Sequence, residues 1–288
     1  MNERINFGVS TWLWTSPFNN DAINLFPKIR RMGFDAVEIP IEYPEMIDAK
    51  KVKKALTDEG LKPIICGAFG PSRDLTHEDS TVQKQCFEYL KHCFEFCNVV
   101  GANFLAGPMY SAVGKARMLP PEKRKEEWSL AVDNLHKVCK MAKAKELLIA
   151  LEPLNRFETD LVNTTADVVR MVKDIDHPSA KVMVDSFHMT IEESDLEAAI
   201  LAAGDLLIHV QVSENYRGTP GTGLTPWKAF AKGLSKINYQ GTISIESFTP
   251  EIKELAGAVC FWKKMAESQD AFAEDGLKFL KTLDFIVR

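Results

Sequence analysis

The 288-residue chain is short of the features that assign many proteins at sight. It has no basic excess. Its 35 lysines and arginines against 40 acidic residues leave a net charge of −5, which argues against nucleic-acid binding and fits an enzyme handling a neutral small molecule. No apolar run approaches the ~18 residues of a membrane span, and the first residues lack the basic-then-apolar pattern of a signal peptide. A cytoplasmic protein without a membrane partner is expected. None of the six cysteines forms a CxxC pair; Cys86, Cys93 and Cys97 fall seven and four residues apart, the spacing of one helical face, and read as reduced core residues. The glycine-rich run Gly218-Thr219-Pro220-Gly221-Thr222-Gly223 does not join a strand to a helix in the GxGxxG manner, so a dinucleotide fold lacks its phosphate loop. Linkers, internal repeats and low-complexity segments are also missing. With 45% hydrophobic residues to close a core, residues 1–288 read as one domain.

What the chain does have is a recurrent strand-like run ending on an oxygen donor. Ile243-Ser244-Ile245-Glu246 alternates apolar and small polar residues before delivering a carboxylate. Leu147 to Glu152, Lys181 to Asp185 and Leu207 to Gln211 share this build, and the four donors, Glu246 included, stand 33, 26 and 35 residues apart, each gap about one strand-helix unit.

Elsewhere the pattern repeats. Strands are expected at Ile5–Ser10, Ala36–Ile39, Pro63–Cys66 and Asn103–Ala106, and helices at 21–31, 50–59, 81–100, 121–144, 164–172, 195–203, 226–235 and 251–267. Eight βα pairs imply a parallel (β/α)8 barrel, whose chemistry lies at the C-terminal strand ends. Ala271 to Val287 reads as one extra C-terminal helix after the barrel closes, either a cap on its N-terminal face or an interface element.

Three carboxylates and an amide oxygen, from Glu152, Asp185, Glu246 and Gln211, would then converge. Without a cation the carboxylates would repel one another, and all-oxygen ligation favours Mn2+ or Mg2+ over zinc. His188, three residues past Asp185, and Glu158 and Arg217, in the loops after the fifth and seventh strands, are placed to reach polar substrate groups. Trp12, Trp14, Cys66, Met109 and Phe248 could wall an apolar side, while His209, inside a strand, reads as a buried residue behind the site.

Over nearly its whole length the sequence resembles the ketose 3-epimerases, typified by D-tagatose and D-psicose 3-epimerase, among the xylose isomerase-like barrels. The most specific pieces are Leu151-Glu152-Pro153-Leu154-Asn155-Arg156-Phe157-Glu158, the run Val184 to Glu193, and Gly241 to Phe248. The resemblance implies that Glu152, Asp185 and Glu246 ligate metal and that Glu152 and Glu246 also form the acid-base pair. It further implies that Glu158, His188 and Arg217 hold the O1–O2 end of the sugar, and that Cys66, Gly107 and Phe248 line the pocket. The activity so implied is metal-dependent C3 epimerisation of a free ketose through a cis-enediolate, with Mn2+, or else Mg2+ or Co2+, and no organic cofactor. A homodimer or homotetramer is expected.

Two positions depart from the pattern: Gln211 stands where the epimerases carry histidine, and Val113 lies near a tryptophan of the tagatose-type enzymes. A wider pocket suits a second reading, a lyase such as an inosose-type dehydratase or a 3-keto-glycoside deglycosidase, in which the same enediolate expels a β-substituent. A non-catalytic sugar-binding barrel would leave the opposed glutamates unexplained.

Overall fold

The computed structural model describes residues 5–283 and Phe285. Its eight strands are β1 (Asn6–Ser10), β2 (Ala36–Ile41), β3 (Lys62–Gly67), β4 (Phe104–Gly107), β5 (Leu148–Leu151), β6 (Ala180–Asp185), β7 (Leu207–Val212) and β8 (Thr242–Ile245). They pair in parallel in sequence order, and β8 returns to β1 to close the barrel.

Period-two alternation sorts the side chains. Val37, Ile39, Ile149, Leu151, Val182, Val184, Ile243 and Ile245 point outward into the main apolar core beneath the helices. Their inward neighbours are small or polar apart from Met183: Ala36, Glu38, Cys66, Ala106, Ala150, His209, Gln211 and Ser244. Closure removes every sheet edge, and the narrow interior is filled by side chains, so donors at the strand ends must emerge at one mouth.

The outer layer is built from α1 (Phe26–Met32), α2 (Ala49–Glu59), α3 (Ser80–Val100), α4 (Pro121–Lys143), α5 (Thr165–Ile175), α6 (Ser186–Glu192), α7 (Leu196–Ala203), α8 (Trp227–Lys236), α9 (Lys253–Ala258) and α10 (Gln269–Leu280). Asp48, Asp79 and Asp195 cap α2, α3 and α7 through side-chain carboxylates, and Thr164 and Asp167 form a reciprocal capping box on α5. Cys86, Cys93 and Cys97 share the buried face of α3 as unpaired thiols. No helix among the described residues is long and apolar enough to cross a membrane.

Two expectations change. The helix expected over 251–267 is the short α9, and the final helix does not cap the N-terminal face. Gln269, at the start of α10, donates to the carbonyls of Leu13 and Phe248 beyond the C-terminal ends of β1 and β8, whereas Lys281, just past its end, reaches the carbonyl of Gly33 at the opposite face. Between them Gly276 lies against Ile245 and Pro220, so α10 runs along β8 and takes the place of the eighth outer helix. Its hydrophobic stripe faces the sheet, which is why it packs there rather than across the barrel floor. Of the residues expected in this helix, Asp284, Ile286 and Val287 lie outside the described residues.

Candidate active site

Glu152 follows β5, Asp185 ends β6, Gln211 lies near the end of β7 and Glu246 follows β8; all four side chains are buried. Asp185 also accepts from the Phe187 N–H and so starts α6, a helix absent from the sequence reading. Those two turns carry His188 back over the barrel mouth.

Arg217 binds the group together. Its Nη1 lies 2.5 Å from Asp185 Oδ2 and 2.9 Å from Glu246 Oε2, with its guanidinium 4.1 Å from the centre of the Phe187 ring and 5.2 Å from that of Phe248. The backbone at Arg217 is left-handed (φ 62°), a conformation unfavourable for a residue with a Cβ. It is held by the Arg217 N–H donating to Glu214 O and by the Ser247 hydroxyl donating to Arg217 O.

Glu158, half-buried, accepts from the Asn155 side-chain amide at 2.8 Å. His188 Nδ1 accepts from the Asn155 backbone N–H at 3.1 Å, and its Nε2 lies 3.7 Å from Glu152 Oε1.

One guanidinium does not balance three buried carboxylates. Burial, reinforced by Glu246 and Asp185, holds the Glu152 carboxyl well above its ordinary range. Burial likewise pushes Glu246 up to about 8, against the pull of Arg217 and with Asp185 and Glu38 adding to the rise. Burial and the Arg217 charge hold His188 well below the usual imidazole range. The Gln211 amide nitrogen donates to Glu38 at 2.6 Å and to Glu246 at 2.9 Å, which leaves its buried Oε1 without a partner. An orphaned amide oxygen beside under-neutralised carboxylates is a donor set that could hold a hard divalent cation, since such an ion would serve both deficits at once.

The expected walls divide. Phe248 is buried between Trp12 and Phe261, at ring distances of 5.8 and 6.1 Å. Cys66 lies deeper, on the barrel interior beside Gln211, its thiol pushed up by burial. Gly107 ends β4 with φ 127°, and a Cβ there would come within 3.2 Å of the Gly67 carbonyl oxygen. Trp14, just past β1, donates its indole N–H to Asp270 at 2.7 Å and has Lys28 Nζ 4.8 Å from its ring centre, which ties it to the start of α10.

Glu38 was overlooked. Fully buried on β2, it accepts from Gln211 and lies 2.8 Å from His209 Nε2. A charged residue at an inward position of an otherwise apolar strand was the available signal; His209 is buried behind the site as expected.

Comparison with known proteins agrees with this fold. Residues 26–283 match the family model described as xylose isomerase-like TIM barrel. A probable ketose 3-epimerase from Synechocystis sp. is 34% identical over 283 residues, 96% of each chain, and an L-ribulose 3-epimerase from Methylomonas sp. is 29% identical, covering 97% of this chain and 98% of its own. The crystal structure of D-allulose 3-epimerase from Methylomonas sp. in complex with D-allulose superposes with a TM-score of 0.91 at 28% identity over 97% of both chains. The chain therefore belongs to the xylose isomerase-like TIM barrels and, within them, to the ketose 3-epimerase family of isomerases acting on carbohydrates.

Proposed function

We propose that this protein inverts C3 of a free ketose of the D-tagatose, D-psicose or D-fructose type, with a divalent metal, Mn2+ foremost, held by Glu152, Asp185, Gln211 and Glu246. The observation that carries this reading is the placement of Glu152 and Glu246, which approach the donor group from β5 and β8 with Asp185 and Gln211 between them on β6 and β7. When bound, the cation would supply Lewis-acid polarisation of the ketose carbonyl, which acidifies the adjacent C3–H.

The rest falls to side chains. Glu246 takes the C3 proton on one face of the sugar and Glu152 delivers a proton on the other, with the roles exchanged for the opposite epimer. His188, Arg217 and Glu158 hold the O1–O2 end, and Phe248 closes an apolar wall. The relatives named for ketose 3-epimerase activity support the same reaction class.

The test is to incubate the Mn2+-loaded protein with a panel of ketoses in D2O. Epimerised product carrying deuterium at C3 is expected. Glu246→Gln should slow this exchange about 10²- to 10⁴-fold, because an amide cannot accept the proton. Product that has kept its original C3 hydrogen, or that has lost water or an aglycone, would overturn the proposal.

A further inference from the structure

Behind the donor group lies a buried chain of polar contacts that the proposed chemistry does not use. Glu38 on β2 reaches across the barrel interior to β7, past β1 and β8, and spends one carboxylate oxygen on each of two residues there: Oε2 on His209 Nε2 at 2.8 Å and Oε1 on Gln211 Nε2 at 2.6 Å. Gln211 Nε2 donates its second hydrogen to Glu246 Oε1 at 2.9 Å. Small residues at inward positions, Gly8, Ala36, Ala106 and Ala150, leave room in the interior for the span, and the Phe104 ring packs 5.4 Å from that of His209.

An ionised carboxylate can only accept, and the Gln211 amide has one end that donates and one that accepts. With carboxylate oxygens of Glu38 and Glu246 both facing it, the NH2 end is committed on two sides and the orphaned Oε1 must face away from Glu38. A flipped amide would set its oxygen against the Glu38 carboxylate at hydrogen-bond distance, and against Glu246 too once a cation has ionised it, which is repulsive in so dry a place.

We infer that Glu38 is a positioning residue that acts through Gln211, fixing the amide so that its oxygen, and not its nitrogen, is presented to the cation. His209 holds the second Glu38 oxygen and so sets the angle of the carboxylate. This rests on the metal-binding reading above and adds a requirement to it: any residue at 211 must offer an N–H to Glu38 and a lone pair on its far side. Glutamine meets this with Nε2 and Oε1, and histidine would meet it with its two ring nitrogens.

The test is a titration of metal-free protein with Mn2+, following free ion by electron paramagnetic resonance, in wild type, Glu38→Met, Gln211→Leu and the double variant. Glu38→Met should weaken Mn2+ binding about 10- to 100-fold. In the Gln211→Leu background the same change should cost less than about threefold, because the residue through which Glu38 acts is gone. Glu38→Asp provides a variant that keeps the charge but is one methylene too short to span both partners. Its affinity should also fall, and its Co2+ complex should show an altered visible spectrum. Wild type that binds no Mn2+ would overturn the metal reading and this inference with it. Wild type that binds, with Glu38→Met and Glu38→Asp unchanged, would overturn this inference alone. Equal losses in both backgrounds would do the same, since Glu38 would then act by charge or by fold and not through Gln211.

Discussion

The backbone N–H of Asn155 donates to Nδ1 of His188 across 3.1 Å. A backbone amide cannot reverse roles, so Nδ1 accepts, and Arg217 Nη2, which also only donates, lies 3.2 Å from Nε2, so both nitrogens of the ring that burial keeps neutral face donors. Nε2 also lies 3.7 Å from Glu152 Oε1, so the ring edge stands beside the carboxylate group. His188 is thereby a neutral ring held between Asn155 and Arg217, placed to orient a sugar oxygen rather than to carry the C3 proton. His188→Phe should raise KM for the ketose about 2- to 10-fold, the worth of one lost hydrogen bond, with a smaller change in kcat. Steady-state kinetics would check this, and a collapse of kcat at unchanged KM would contradict it.

The metal-free protein should lose stability as pH rises from about 6.5 to 8.5. The Glu152 and Glu246 carboxyls are raised in the folded state, Glu246 to about 8, so folding binds protons that the unfolded chain, with carboxyls near ~4.3, has already released. Their contribution is full at low pH and is lost as pH climbs through the folded value. His188 has the opposite sign, lowered on folding, but above its unfolded pKa of ~6.5 it is neutral in both states and drops out. Thermal melts of chelated protein across this window should slope downward, and saturating Mn2+ should flatten them. A level profile without metal would count against the crowded carboxylates.

Gln211→His should keep the fold and bind metal, with the order of preference shifted from Mg2+ or Mn2+ toward Co2+ or Ni2+. An imidazole nitrogen replaces a hard amide oxygen at equal ligand charge. Competitive titrations of the two proteins would show it, and an unchanged order would remove Gln211 from the ligand set.

Gly107→Ala should destabilise the protein by about 1–3 kcal/mol, since φ 127° is strained for any residue with a Cβ and the added carbon would crowd the Gly67 carbonyl oxygen at 3.2 Å. A fall in Tm of several degrees is expected. Equal melting temperatures would show that the end of β4 relaxes freely.

How much was legible in the sequence follows from how local each feature is. Alternation within a strand is local, so it places Glu152, Asp185, Gln211 and Glu246 at strand ends, and the repeat of strand and helix specifies a barrel. Trp14 shows the limit of that reasoning: its position just past β1 is local, but the bond of its indole N–H to Asp270, 256 residues away, is not. The final helix was likewise found but misplaced, because its partner face on β8 exists only once the barrel has closed. Arg217 adopts its left-handed backbone against local preference, under bonds from Glu214 and Ser247 that only the fold assembles. Glu38 is the clearest case. Its strand and its inward face follow from sequence, but its meeting with His209 and Gln211, 171 and 173 residues away, depends on barrel closure and on the small side chains between them, which no local pattern encodes.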